Sequence, residues 1–395
     1  KVVHETIYRY RNPVGLGKHR LMLRPRETRD LRLISFNLDV TPHASITWAQ
    51  DVAGNSVATA DVAALSNIME IKSVAVLELT APVWPIFDIA ASAISYPFSY
   101  SDDDWTDIGA LSQSQHSDPD NRLAVWVNSF VMHRPTDTLS LLKDISNGVF
   151  RKIAYQARYT EDTQAPLDTL NRGWGSCRDF AVLFAEAVRT LGFGARLVSG
   201  YLLDSSDCLT GSTNGGSTHA WVEVFVPGAG WIAFDPTNQA VGSGNLIPVA
   251  VGRHIGQVAP VSGSFRGTDT DLIEMVVLIA IVMVLRIQIP RGLCCMVQMH
   301  SQVIQRKALI RTGMDMVTTP VELIQMDVQL SLEIQQSIES VVQIRMVTDG
   351  GMFKMHSLES LHNGPMSMVM DTAIMKAVLM LTHVQTSAEI QPLTD

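Results

Sequence analysis

The chain has 395 residues, of which 46% are hydrophobic and 17% charged, and its formal net charge at pH 7 is −9. This length is sufficient for two or three domains, each with its own core. The acidic balance and the lack of a basic stripe exclude the usual nucleic-acid binders, so we expect no nucleic-acid partner. The longest apolar run, 275–285, is shorter than the about 20 residues of a membrane-spanning helix, so we expect no membrane partner.

Four cysteines are present, Cys177, Cys208, Cys294 and Cys295. That number is too small for a disulfide scaffold, and no paired CxxC spacing indicates a zinc site. The chain begins at Lys1 with a strand-like pattern and no charged-then-apolar signal segment, so we expect an initiator methionine or a short leading segment to be missing. We therefore predict a soluble, cytoplasmic protein.

Residues 1–80 form a predicted β-rich N-terminal domain. Side chains alternate in character over Val3–Tyr10, and Gly54–Asn55 lies between two strand-like runs, as a hairpin turn does. Several short strands at this spacing predict an antiparallel sandwich with a structural or docking role. The further strand-like runs are 31–40, 45–51, 56–61 and 68–80.

A connector is predicted at 81–120, where prolines interrupt the sequence. Asp102, Asp103 and Asp104 form an acidic cluster there, which is typical of a solvated surface rather than a metal site. Two helices are predicted after the connector, at 122–130 and 139–155.

The clearest helix is predicted at 177–191. Its apolar residues recur at the helical spacing from Phe180 to Leu191, and Gly192 is a suitable stop. A loop rich in glycine, serine and threonine at 211–216 comes shortly before a histidine and could serve as a lid or as a simple connection. Strands are predicted after the helix at 195–203, 220–226 and 231–234.

Residues 268–395 differ from the rest of the chain in composition. Fifteen of the 18 methionines lie there, none of the 7 tryptophans or 7 tyrosines does, and Phe353 is the only phenylalanine. An ordinary globular segment of that length would carry several aromatic residues. One hypothesis is a frameshift in the coding sequence. The other is a methionine-rich helical extension that docks on a partner.

Three residues, in this order, carry the candidate chemistry of the chain. Cys177 opens the helix, His219 precedes a predicted strand and Asp235 closes the next strand. A helix N-terminus stabilises a thiolate, a histidine within reach takes and returns a proton, and an aspartate orients the imidazole. The hairpin between the two strands would bring His219 and Asp235 to one end of the sheet. The sequence therefore predicts a nucleophile, a base and an orienting acid for acyl transfer, with the Cys177 N–H as an oxyanion donor.

Each of these residues also has a structural interpretation. A cysteine in an apolar helix is commonly core filler, a histidine before a strand commonly lies at the surface, and an aspartate before proline commonly begins a turn. Trp174 and Trp221 are candidates for the substrate pocket, with packing as the alternative. Trp221 would share the face of His219 on its strand, where it could also shield the pair of His219 and Asp235 from water. Asp179 suits the first helical turn electrostatically, and we expect its role to be structural.

Two blocks of the chain, GSCRDFAVLFAEAVRTLGFGARLVSGYL (175–202) and THAWVEVFVPGAGWIAFDPTN (218–238), resemble the bacterial transglutaminase-like superfamily. The stretch HETIYRYRNPVGLGKHRLMLRPR (4–26) resembles the β-rich region that precedes the core in bacterial members. The resemblance extends over about residues 1–267.

The resemblance implies an α+β fold, with an N-terminal antiparallel β-sandwich followed by a papain-like transglutaminase core at 121–267. In that core the helix that carries the nucleophile packs on an antiparallel sheet. The family's nucleophile falls on Cys177, its base on His219 and its orienting acid on Asp235.

The reaction implied is thioester chemistry on a peptide or carboxamide bond of a peptide or protein substrate. Water as the second nucleophile gives a cysteine protease or amidase, which is the reading we favour. The alternatives are a protein-glutamine gamma-glutamyltransferase, which crosslinks, and a non-catalytic transglutaminase-like module that binds a protein. No calcium pattern such as DxDxDG is present, and a Cys/His metal site lacks a fourth ligand, so we expect no metal and no cofactor.

Overall fold

The computed structural model describes five stretches of the chain with their side chains: 1–82, 84–158, 162–203, 217–268 and 270–281. Beyond them it describes only the backbone of short strands at 283–288, 294–299, 304–308, 344–348 and 351–355. Cys208 and the loop predicted at 211–216 lie outside the described residues.

Two compact units are present, one of Lys1–Met283 with His300–Met316 and one of Val284–Met299 with Val317–Asp395. The helices are α1 (Asp102–Ile108), α2 (Arg122–Asn128), α3 (Thr138–Lys152), α4 (Pro166–Arg172) and α5 (Cys177–Thr190). The strands are β1 (Val2–Leu16), β2 (His19–Leu21), β3 (Leu31–Thr41), β4 (Ser45–Gln50), β5 (Ser56–Asp61), β6 (Leu65–Leu79), β7 (Ser95–Tyr96), β8 (Thr136–Asp137), β9 (Ala154–Tyr155), β10 (Trp174–Gly175), β11 (Ala195–Leu202), β12 (Ser217–Val226), β13 (Gly230–Asp235), β14 (Ala240–Val241), β15 (Leu246–Gly252), β16 (Val261–Ser262), β17 (Phe265–Arg266), β18 (Leu272–Ile281), β19 (Met283–Gln288), β20 (Cys294–Met299), β21 (Ile304–Ala308), β22 (Ile344–Thr348) and β23 (Gly351–Met355).

Two sheets form the N-terminal sandwich. One has the order β21-β18-β1-β6-β3, with β17 paired to β1, and the other has the order β16-β2-β5-β4. Buried side chains from both sheets, among them Leu21, Met69 and Ile71, form one hydrophobic cluster. The predicted hairpin joins β4 to β5, and Gly54 has the positive φ of 74° that a side chain would disfavour. The predicted antiparallel sandwich is confirmed.

Strand β18 lies within the segment 268–395 that differs in composition. It pairs antiparallel with β1 from Val2 opposite Ile281 to Tyr10 opposite Leu272. Side chains of β18 are buried in the N-terminal sheet, including Ile279 and Ile281. The described elements of this segment are strands, whereas the hypothesis of a methionine-rich extension predicted helices. The domain boundary at 268 and the frameshift hypothesis stay predictions, and β18 shows that the first part of the segment fits the sandwich.

The second half of the first unit is built on a five-stranded antiparallel sheet with the order β14-β13-β12-β11-β15. Helix α5 packs on this sheet through its apolar face. Phe180 and Phe184 of the helix are buried with Val222, Val224 and Phe234 of the strands in one cluster. The rings of Phe184 and Phe234 have centroids 5.4 Å apart. The predicted helix on an antiparallel sheet is confirmed.

The N-terminal sandwich contacts the outer edge of β15, the last strand of the core sheet. Asn55, which is 1% exposed, donates from Nδ2 to the carbonyl of Val251 at 2.7 Å and accepts the N–H of Val251 at 2.9 Å. The backbone N–H of Arg26 donates to the carbonyl of Pro248 at 2.8 Å. The turn of the β4–β5 hairpin therefore satisfies backbone groups of the core sheet.

A buried polar contact also joins the two parts. Nδ1 of His4 in β1 lies 3.0 Å from the hydroxyl of Tyr201 in β11, and its Nε2 lies 2.9 Å from Oγ1 of Thr6. Burial lowers the pKa of His4 to about 4. Around this contact Val2, Ile247 and other apolar side chains pack together. The N-terminal sandwich is thus bonded to the strand next to β12.

The elements of the first unit that were not predicted include α1, α4 and β15. In the predicted connector, the hydroxyl of Ser101 accepts the N–H of Asp104 at 3.1 Å, and three aspartates fill the first turn of α1. Apolar periodicity gave no signal because α1 has seven residues, of which only Ile108 is buried.

In the second unit, strands β19, β20, β22 and β23 form a sheet in that order. Across the described residues, no helix has the length and apolar character needed to cross a membrane.

Candidate active site

Cys177 is the first residue of α5 and carries a free, half-buried thiol. Ser176 precedes it as the N-cap residue. The backbone N–H and the hydroxyl of Ser176 donate to Oδ2 of Asp179 at 2.7 and 2.8 Å. A carboxylate in this position is stabilised by the positive end of the helix and fixes where the helix begins. The sequence SCRD therefore places the thiol at a helix N-terminus, where a thiolate is favoured.

His219 and Asp235 come together on neighbouring strands. His219 lies in β12, and Asp235 is the last residue of β13, which pairs antiparallel with β12. Nε2 of His219 lies 2.8 Å from Oδ2 of Asp235, and each side chain is 1% exposed. Because an ionised carboxylate can only accept, Nε2 is the donor and Nδ1 is left to face another group. The structure thus joins the two residues as the hairpin prediction requires.

Asp235 accepts three further hydrogen bonds. Its Oδ1 accepts the backbone N–H groups of Thr237 at 3.0 Å and of Asn238 at 3.4 Å, and its Oδ2 accepts Nδ2 of Asn238 at 2.7 Å. Burial alone would raise the pKa of Asp235, but His219 and then these donors hold it below its usual range. Sequence reasoning gave Asn238 no role. The available signal was DPTN, since an aspartate that starts a turn bonds to the residues just after it.

The thiol of Cys177 is hydrogen-bonded to the ring of His219 and to the backbone N–H of Ala220. Burial by itself raises the pKa of the thiol, but the bond to His219 and the charges of His219 and Arg178 outweigh burial and lower it. For His219, burial opposes the charged form, whereas Asp235 and Cys177 raise the pKa of the ring above its usual value. These directions favour a thiolate–imidazolium pair, whose titration belongs to both residues together.

Trp221 packs beside the imidazole. Its ring is nearly parallel to that of His219, with centroids 6.2 Å apart and an angle of 23°. A Cβ atom on Gly200, in the neighbouring strand, would lie 2.8 Å from the Trp221 ring, so the indole covers this glycine. At 1% exposure Trp221 cannot line an open substrate pocket. The alternation of β12 puts it on the face of His219, but two residues further into the sheet, where it keeps water from the ring.

Trp174, the other pocket candidate, lies three residues before Cys177 in β10 and is partly exposed. The guanidinium carbon of Arg172 is 5.7 Å from the centroid of the indole ring. Trp174 remains a candidate for a wall beside the thiol. Over the described parts of the chain, no group of three or more His, Cys, Asp and Glu side chains is arranged to hold a metal ion.

Family comparisons agree with this arrangement. Residues 127–236 match the Transglutaminase-like superfamily, and residues 1–78 match the Bacterial transglutaminase-like N-terminal region. Residues 1–78 and 127–236 therefore match the two regions of bacterial transglutaminase-like proteins, and the predicted resemblance is confirmed. The match to the core contains all three candidate residues, Cys177, His219 and Asp235.

Individual relatives are distant but match nearly over their full length. An uncharacterised protein of Mycobacterium leprae is 27% identical over 287 residues, which is 69% of this chain and 96% of the relative. One of Mycobacterium bovis is 25% identical over 293 residues, 70% of this chain and 90% of the relative. The crystal structure of a candidate cysteine protease from Cytophaga hutchinsonii matches with a TM-score of 0.54 and 18% identity, over 80% of this chain and 91% of that one. This last likeness supports the α+β, papain-like fold.

Proposed function

We propose that the chain is a thiol-dependent acyl-transfer enzyme that acts on peptide or carboxamide bonds. In this proposal Cys177 is the nucleophile, His219 transfers protons and Asp235 orients His219. The supporting observation is the hydrogen-bonded path from the Cys177 thiol through the His219 ring to the Asp235 carboxylate, 2.8 Å from Nε2. Burying such charged groups costs free energy of desolvation, so a mere scaffold has no use for them.

In the first step the Cys177 thiolate attacks the carbonyl carbon of the amide. The new C–S bond displaces an electron pair onto the carbonyl oxygen, and the Cys177 backbone N–H is the proposed donor to that oxyanion. Since Nε2 of His219 bonds to Asp235, Nδ1 is the nitrogen that delivers the proton. The leaving nitrogen takes this proton, the C–N bond breaks, and ammonia or an amine departs from a thioester.

In the second step we propose water as the acceptor. Neutral His219 takes a proton from water at Nδ1, the oxygen attacks the thioester carbon, and the C–S bond breaks to return the thiolate. The products are a carboxylic acid and the original enzyme. The similar structure from Cytophaga hutchinsonii is described as a candidate cysteine protease. Proteases hydrolyse amide bonds, so this description supports water as the acceptor. A lysine amine in place of water would give an isopeptide crosslink from the same thioester.

Mass spectrometry of substrates tests the reaction type. The full chain and its Cys177→Ala variant are incubated with a library of glutamine-containing peptides and a labelled primary amine. Cleaved peptides, or glutamines heavier by about one dalton, that appear only with the wild type are the result expected for hydrolysis. If the peptides gain the labelled amine instead, the reaction is transamidation and the proposal of hydrolysis is wrong.

Labelling of the thiol tests whether the site is chemically competent at all. We expect iodoacetamide to modify Cys177 at pH 6 faster than Cys208, because only a thiolate reacts. The His219→Ala variant should lose this advantage. Equal and slow labelling of both cysteines, together with unchanged peptides, would favour the non-catalytic binding module and refute the proposal.

A further inference from the structure

Arg158 and Asp179 form an ion pair at the start of α5. Nη2 of Arg158 lies 2.8 Å from Oδ1 of Asp179, and the two side chains are 10% and 0% exposed. The backbone N–H of Gln164 donates to the same oxygen at 2.7 Å, while Ser176 donates twice to Oδ2. The buried carboxylate therefore joins Arg158 and Gln164 to the N-cap of the helix that carries Cys177.

The place of this carboxylate is fixed by the backbone around it. A Cβ atom on Gly175 would lie 2.7 Å from Cβ of Asp179, so a larger residue at 175 would displace the aspartate. Arg158 also bonds to Asp162, with Nη1 3.2 Å from Oδ2 and Nη2 2.9 Å from the carbonyl oxygen. The guanidinium of Arg158 is thus bonded to Asp162 on one side and to Asp179 on the other.

The position of Asp179 creates an electrostatic conflict. It lies two residues after Cys177, in the same helical turn. A negative charge close to a thiol disfavours the thiolate, against the effect of the helix N-terminus. Arg158, which lies 19 residues before Cys177 in the chain, supplies a compensating positive charge. The charged groups with the largest effect on the pKa of the thiol are His219 and Arg178.

We propose that Arg158 and Asp179 are positioning residues that set the balance of charge at the start of α5 and thereby determine how readily Cys177 ionises. Asp179 orders the N-cap, and Arg158 cancels the charge that this ordering introduces. The inference rests on the proposed role of Cys177 as a nucleophile. Its test, however, uses the reactivity of the thiol alone and needs no substrate.

Opposite substitutions separate this role from simple bracing. If the pair only holds Arg158 in contact with the start of α5, Arg158→Met and Asp179→Asn should change the ionisation of Cys177 in the same direction, because both break the same contact. If the pair balances charge, Arg158→Met leaves a negative charge near the thiol and Asp179→Asn leaves a positive one. The two variants should then move the ionisation of Cys177 in opposite directions.

The experiment measures the rate at which iodoacetamide modifies Cys177 in the full chain between pH 4 and pH 10, by peptide mass spectrometry. We expect the midpoint of the rate profile to rise by about one pH unit in Arg158→Met and to fall by a similar amount in Asp179→Asn. Below the midpoint, one unit corresponds to about a tenfold change in rate. Arg158→Lys keeps the charge and should restore the wild-type midpoint to within a few tenths.

The matched control is Arg29→Met, since Arg29 pairs with Asp30 at 3.2 Å in a solvent-exposed position. Its midpoint should equal that of the wild type. Shifts of the same sign in Arg158→Met and Asp179→Asn, or no shift in either, would overturn the proposal. If Arg158→Met fails to fold, the Asp179→Asn variant alone tests the proposal. A lowered midpoint in Asp179→Asn would then support it, and an unchanged or raised midpoint would contradict it. If Cys177 of the wild type is alkylated readily but no amide is processed, only the proposed function is contradicted.

Discussion

Replacing Asp235 by asparagine removes the charge beside His219 while nearly keeping the shape of the side chain. The 2.8 Å distance between Nε2 and Oδ2 puts the centres of the two charges about 4 Å apart. At an effective dielectric constant of about 20, such a pair interacts by about 4 kcal/mol, which corresponds to about three pKa units. We therefore expect the pKa of His219 in Asp235→Asn to fall from about 10 to close to its ordinary value.

The consequence for Cys177 follows from the coupling of the pair. In the wild type the thiol pKa is lowered and the imidazole pKa is raised, so the thiolate–imidazolium form exists between those two values. We therefore expect kcat/KM to rise with pH as Cys177 ionises and to fall as His219 loses its proton. In Asp235→Asn the neutral thiol–imidazole form replaces the ion pair near pH 7, and ionisation of the thiol moves toward its ordinary range.

The assay is the pH profile of alkylation of Cys177, followed by turnover on any substrate found. We expect Asp235→Asn to alkylate at least tenfold more slowly at pH 6, and turnover to fall by about 10³–10⁴, as in triads where the wrong tautomer is stabilised. Asp144→Asn, an exposed position on α3, is the matched control and should behave as the wild type. An alkylation profile in Asp235→Asn that overlays the wild type would refute the ion-pair reasoning.

Three smaller predictions concern stability. Gly200→Ala would put a carbon 2.1 Å from the carbonyl oxygen of Ile247, so we expect a loss of about 3 kcal/mol or more in urea unfolding, whereas Gly256→Ala meets nothing closer than 3.4 Å and should cost little. Burial lowers the pKa of His4 from 6.5 to about 4, so on acidification the unfolded chain takes up a proton at His4 before the folded chain does. The free energy of unfolding should therefore drop by about 3 kcal/mol from pH 7 to pH 4. A His4→Gln variant whose free energy of unfolding falls equally with pH would contradict this. Tyr201→Phe removes the 3.0 Å partner of His4 and should cost about 1–3 kcal/mol without changing alkylation of the thiol.

The sequence was most informative where patterns are local. The alternation over Val3–Tyr10 predicted β1, and the helical spacing from Phe180 to Leu191 predicted α5, because both record which face is buried. The hairpin between β12 and β13 was predictable from Pro227 and the two glycines after it. Together these local signals sufficed to bring His219 near Asp235.

The parts that sequence could not supply depend on contacts between distant segments. Arg158 belongs to no motif, and its proposed role rests on the hydrogen bond of its side chain to Asp179, 21 positions further along the chain. The spacing of Trp221 from His219 predicted only that the two share a face of the strand, and the assembled sheet is needed to show that the indole ring is covered. The pairing of β18 with β1 joins residues more than 260 positions apart, which no local pattern encodes.

The contact of Asn55 with Val251 has a consequence for the edge of the core sheet. Strand β15 ends the core sheet, and a free edge strand offers unpaired N–H and C=O groups to any other extended chain. The side-chain amide of Asn55 occupies both groups of Val251, and Arg26 occupies the carbonyl of Pro248. Because the N-terminal sandwich already bonds these groups, they are not available to pair with a strand of a second molecule.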